Sequence, residues 1–159
     1  MSAPLLLPAQ GADPSPTATS PRLLIVATDW DKDLRGAAYV IERSRQSGPL
    51  CVHVLYASAP IIAWQVLRFW ACARVVSWQR EQGERLLRAY RDRLGEAGIA
   101  PTCHVRLDEP AKAITQLANE IGAECVVLPT PPSTELPPFG YWWGLHKIIR
   151  QSGLPIVLA

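Results

Sequence analysis

A chain of 159 residues can bury one sizeable core, and 48% hydrophobic against 19% charged residues is the balance of an ordinary globular domain. A net charge of +2 excludes the broad basic surface that nucleic acid demands, so no nucleic-acid partner is expected. The four cysteines show no C-x-x-C spacing, and three lie in apolar strand-like runs, as reduced thiols of a cytoplasmic protein do.

Residues 1–21 are mostly Pro, Ala, Ser and Thr without periodicity, and read as a disordered tail. Leu5-Leu6-Leu7 is too short for a secretory apolar core, and no basic residue precedes it. The domain is expected over 22–159. Leu23 to Thr28 (LLIVAT) is a continuous apolar run, the pattern of a strand buried on both faces. Asp29-Trp30-Asp31 ends it. Asp31 or Asp33 is placed to cap a helix running to about Gln46, with Leu34, Ala37, Ala38 and Ile41 on its apolar face. Ser47-Gly48-Pro49 stops that helix.

Leu50 to Ala57 (LCVHVLYA) is short and β-branched, hence a second strand. From about Ile61 to Gly98 the spacing predicts a long helical region, with Trp64, Leu67, Ala71, Val75, Trp78, Leu86, Tyr90 and Leu94 as its stripe. Its most apolar part is broken by Gln65, Arg68 and Arg74, so no membrane insertion is expected. Trp70 lies off the stripe beside Arg68 and Arg74. It reads either as a partner surface, where Trp and Arg are favoured, or as ordinary packing.

Pro101 to Leu107 alternates in polarity, as an edge strand does. Asp108-Glu109-Pro110 opens a helix with Ile114, Leu117, Ala118 and Ile121 inward, and Gly122 ends it. Cys125 to Leu128 is a fourth strand. A proline-rich loop, a short helix from about Leu145 to Arg150 and a last strand over Pro155–Ala159 follow. Strands alternating with helices demand an α/β domain with a parallel sheet.

Two clusters invite a chemical reading. Cys51 and His53 share a strand face, with Cys103 and His104 on a neighbouring strand, but Cys103 and His104 point to opposite faces. At most three of the four converge, which argues against a zinc site. Asp108-Glu109 is a carboxylate pair that a helix N-terminus explains. Neither G-x-S-x-G, G-x-x-x-x-G-K nor H-E-x-x-H occurs, so no enzyme is expected.

These segments together resemble the universal stress protein family over about residues 22–159. LLIVATD resembles its first strand with the terminal Asp, and LCVHVLYA its second. Residues 108–128 resemble the helix and strand before its nucleotide loop, and Leu154-Pro155-Ile156-Val157-Leu158 its closing strand. The resemblance implies an open five-stranded parallel sheet, order 3-2-1-4-5, with helices on both faces.

In ATP-binding members the loop after the fourth strand reads Gly, two residues, Gly, nine residues, Gly, then Ser or Thr. Counting forward from Leu128 and back from Pro155 both place those positions at Pro129, Pro132, Trp142 and Trp143. The loop carries five prolines, which have no N–H to offer a phosphate, and every motif residue is replaced. The resemblance therefore implies a degenerate nucleotide site in which Asp29 alone matches a family contact, on the adenosine side. Asp29 also reads simply as a polar strand end.

No cofactor is expected, ATP included, unless the altered loop still binds. The expected function is a regulatory or protein-binding module. The alternatives are an adenine-nucleotide-binding stress protein with an altered loop, and an enzyme whose site goes unrecognised. Some rings of Phe139, Tyr141, Trp142 and Trp143 are expected in the crevice near Asp29. The others face a protein partner or a second subunit, or else all four pack on the sheet. The family's habit of pairing last strands implies a homodimer through Ile156, Val157 and Leu158.

Overall fold

The computed structural model describes residues 20–59, 72–131 and 141–159, with backbone alone for Cys72 and for 141–143. Five strands are described: β1 (Arg22–Ala27), β2 (Cys51–Ala57), β3 (Thr102–Arg106), β4 (Cys125–Leu128) and β5 (Ile156–Leu158). Four helices accompany them: α1 (Arg35–Ser47), α2 (Cys72–Glu96), α3 (Pro110–Ile121) and α4 (Tyr141–Ser152). The sheet has the order β3-β2-β1-β4-β5 with every pair parallel, as expected.

From Leu23 to Ala27 β1 is apolar because both of its faces are covered, and only Arg22 at its start is exposed. On one face Leu23, Ile25 and Ala27 meet Ala37, Val40 and Ile41 of α1 and Leu87, Tyr90 and Leu94 of α2. On the other, Leu24 and Val26 meet Ala111, Ile114 and Leu117 of α3 and Leu145 and Ile148 of α4. The strand order leaves β1 and β4 as neighbours whose chains continue to opposite sides, which opens a crevice at their carboxyl ends.

Two helix faces differ from expectation. In α1 the buried residues are Gly36, Ala37, Val40 and Ile41, while Ala38 is exposed. In α2 Trp78 is 54% exposed rather than part of the core, and Gln79 is buried in its place. The inward row is Val75, Gln79, Gly83, Leu87, Tyr90 and Leu94, at steps of three and four. Gly83 sets that rotation. A Cβ there would stand 2.4 Å from Tyr56 Cδ1, so only glycine lets α2 approach β2 this closely.

The N-terminal part of the expected long helix, residues 60–71, lies outside the described residues, as does most of the expected tail. Pro21 is described, and its carbonyl accepts the Cys51 N–H at 2.9 Å. Among the described residues no helix is long and apolar enough to cross a membrane.

Candidate functional site

The chain turns sharply after β1, and one buried carboxylate organises the turn. Asp31 is 1% exposed. Its oxygens accept the Arg35 N–H at 3.0 Å, the Gly36 N–H at 3.4 Å and the Tyr90 hydroxyl at 2.6 Å. A buried carboxylate is tolerated only when so paired. It caps the donors that start α1 and holds Leu34 in the left-handed region at φ 50°. Asp31 is thus the helix cap, and Asp33 is exposed. Burial, then the bond to Asp31, pushes the Tyr90 phenol far above its ordinary range.

Arg35 carries this network across to the loop after β4. Its Nε lies 3.6 Å from Asp31 Oδ1, and its guanidinium donates to Thr130 Oγ1 at 3.2 Å and to the Thr130 carbonyl. Thr130 in turn donates its N–H to the Ala159 carbonyl at 2.7 Å and its hydroxyl to the same oxygen at 3.0 Å. The start of the loop is therefore fixed to α1 and to the end of β5.

Between these ends opens a cleft of 440 Å³. Thr28, Asp29 and Trp30 line it after β1, Tyr56 to Ala59 at the end of β2, and Leu128 and Pro129 at the end of β4. Pro110, Ala111 and Ile114 of α3 and Leu145, Lys147 and Ile148 of α4 complete the walls. Most of the lining is apolar. Three groups charged at neutral pH stand apart from the rest. Asp29 is exposed, and its carboxylate makes no hydrogen bond or ion pair among the described residues. Glu109 and Lys147 bind each other across the α3–α4 side.

Burial, reinforced by the Asp29 charge, pushes the Tyr56 phenol up, against a hydrogen bond with Ser58 that lowers it. Thr28 Oγ1 is buried without a hydrogen-bond partner among the described residues. Gln79 reaches in behind the end of β2, its amide donating to Ala59 O at 2.9 Å and Ser58 Oγ at 3.2 Å.

Of the expected site residues, Asp29 and Pro129 both line this cleft. Pro132 and Trp70 lie outside the described residues. So do the side chains of Tyr141, Trp142 and Trp143, whose backbone forms the first turn of α4. Ile156 and Val157 are half-buried and Leu158 exposed, on a strand that among the described residues pairs only with β4. Thr28, Tyr56, Ser58, Lys147 and the Arg35 clamp were not singled out by the sequence. Thr28, Tyr56 and Ser58 follow from position alone, since ligands meet α/β sheets where strands end.

The cysteine–histidine cluster lies at the opposite end of the sheet. Cys51 Sγ is 3.6 Å from His53 Nε2, and His53 Nδ1 is 3.0 Å from His104 Nε2. The two imidazoles stack with centroids 5.3 Å apart. Among the described residues no group of three or more His, Cys, Asp or Glu is arranged to hold a metal ion.

No protein-family model matches the sequence, and no curated protein matches it either. Solved structures do match. A universal stress protein family member from Burkholderia pseudomallei aligns with a TM-score of 0.68 at 16% identity, over 91% of this chain and 98% of that one. The universal stress protein from Archaeoglobus fulgidus in complex with dAMP gives 0.61 at 17% identity, over 87% and 96%. A universal stress protein family protein from Arabidopsis thaliana with AMP bound gives 0.59 at 16% identity, over 87% and 90%. Likeness at this identity is a likeness of architecture, and the chain carries the fold of the universal stress proteins.

Proposed function

We propose that this domain is a regulatory or protein-binding module rather than an enzyme. We further propose that it acts as a homodimer in the cytoplasm and does not take ATP in the manner of the glycine-loop members. One observation supports this most directly. At the start of the loop Pro129 and Pro131 have no N–H, and the Thr130 N–H is already given to Ala159. A phosphate cradle works by free amides converging on the anion, and none of these three residues has one to offer. The Arg35 guanidinium is likewise engaged with Asp31 and Thr130. The free thiols of Cys51, Cys103 and Cys125 suit a reducing compartment.

A second reading keeps an adenine nucleotide in the cleft without the triphosphate. It is favoured by Asp29 standing at the open cleft and by structural neighbours that hold dAMP or AMP. Calorimetry separates the two. Mg-ATP at millimolar concentration is expected to give no binding heat, and a micromolar dissociation constant would overturn the first reading. Saturable AMP binding that is lost in Asp29→Asn would establish the second.

A further inference from the structure

We infer that the cleft at the ends of β1, β2 and β4 is built for a small cationic ligand, a primary alkyl amine carrying an apolar body, and selects against anions. The inference rests on the reading above that this cleft is no longer a triphosphate site. Its volume of 440 Å³ suits a small molecule. Val26, Ala57, Ile114, Leu128, Leu145 and Ile148 give it an apolar body.

The charges decide the class. Among the described residues only Asp29, Glu109 and Lys147 bring ionisable charge to the lining. Lys147 and Glu109 neutralise each other, which leaves one unmatched carboxylate, Asp29, at the end of β1. Beside it Thr28 also lines the cleft, but its hydroxyl oxygen is buried away from the open space and is not offered to a ligand. The Tyr56 phenol, held protonated by burial, adds no second negative charge. Ser58 adds a further hydroxyl at the end of β2.

An ammonium carries three donors and no acceptor, so it matches an exposed carboxylate standing at the mouth of an apolar cleft. A carboxylate or phosphate ligand meets the reverse. It would face Asp29, find no free amide at residues 129–131, and have to displace Glu109 from Lys147 to gain a cation.

The test uses tryptamine as the cationic probe and indole-3-propionate as an anion of similar ring and chain, each titrated into the full chain by calorimetry. Tryptamine is expected to bind saturably and indole-3-propionate to give no heat. Asp29→Asn is expected to weaken tryptamine at least about tenfold, as for the loss of a charge-assisted contact. Asp33→Asn, which removes an exposed carboxylate outside the cleft, should leave it unchanged. Thermal melting checks that both variants stay folded. Equal binding of the two probes, or insensitivity to Asp29→Asn, overturns the inference. If neither tryptamine nor Mg-ATP binds, the inference fails while the proposed function stands. Micromolar binding of Mg-ATP overturns that function first.

Discussion

Two histidines show how one bond can make a strand edge sensitive to pH. His53 and His104 come from adjacent parallel strands and share a single short contact between their ring nitrogens. In the neutral pair one nitrogen donates and the other accepts, whereas two imidazolium rings would face donor to donor. Burial pushes both histidines below their usual value of 6.5. His104 and Arg22 add to the effect at His53, while Arg106 adds to it and Glu120 opposes it at His104. The folded state thus binds fewer protons than the unfolded chain, so the stability these groups contribute is present above pH 6.5 and is lost as pH falls below it. Urea midpoints between pH 7.5 and about 5.5 are expected to fall with acidification, most steeply below the histidine range. His104→Gln, which keeps a hydrogen-bonding group but cannot charge, should flatten that fall. An unchanged slope in the variant would remove the pair as its source.

At the scale of the element, α2 carries two glycines that respond oppositely to the same change. Glycine inside a helix costs roughly 0.5–1 kcal/mol relative to alanine. At Gly95 a Cβ would meet nothing within 4 Å, so Gly95→Ala should stabilise by about that amount. At Gly83 it would strike the Tyr56 ring, so Gly83→Ala should destabilise by about 1–3 kcal/mol despite the better propensity. Denaturant titration of the two variants reads both signs, and a gain at Gly83 would mean that α2 does not sit so close to β2. The same contact explains what the sequence did and did not disclose. Strand runs such as LLIVA and CVVL are legible because burial on both faces makes them apolar throughout. The rotation of α2 is not legible from hydrophobicity, which favours an inward Trp78. The helix instead turns Gln79 inward, where its amide satisfies Ser58 and Ala59. Asp29 and Pro129, which the family resemblance singled out, both line the cleft. The Arg35–Thr130 and His53–His104 contacts were not legible, because they join residues 95 and 51 positions apart and exist only once the sheet has its register.

For the whole molecule the open question is what covers the edges of the sheet. β3 closes one side with His104 and with the Arg106–Glu120 ion pair, and charge of that kind blunts an edge. β5 closes the other with Ile156, Val157 and Leu158, and Leu158 is 47% exposed. Ala159 gives its N–H to Leu128 and its carbonyl to Thr130, and the Pro155 carbonyl accepts from Val126. Backbone groups alternate in direction along a strand, so Ile156 and Leu158 present theirs outward, away from β4. An apolar strand with outward donors and acceptors is a template for pairing, and a second copy related by a two-fold axis satisfies both strands at once. Light scattering at tens of micromolar is therefore expected to report a dimer. Ile156→Pro removes one outward N–H without breaking a bond to β4, and Leu158→Lys sets like charges on the paired edge. Both variants should shift the protein to monomer while circular dichroism stays native. A wild-type monomer at that concentration, or a dimer indifferent to both substitutions, would place the subunit contact elsewhere or abolish it.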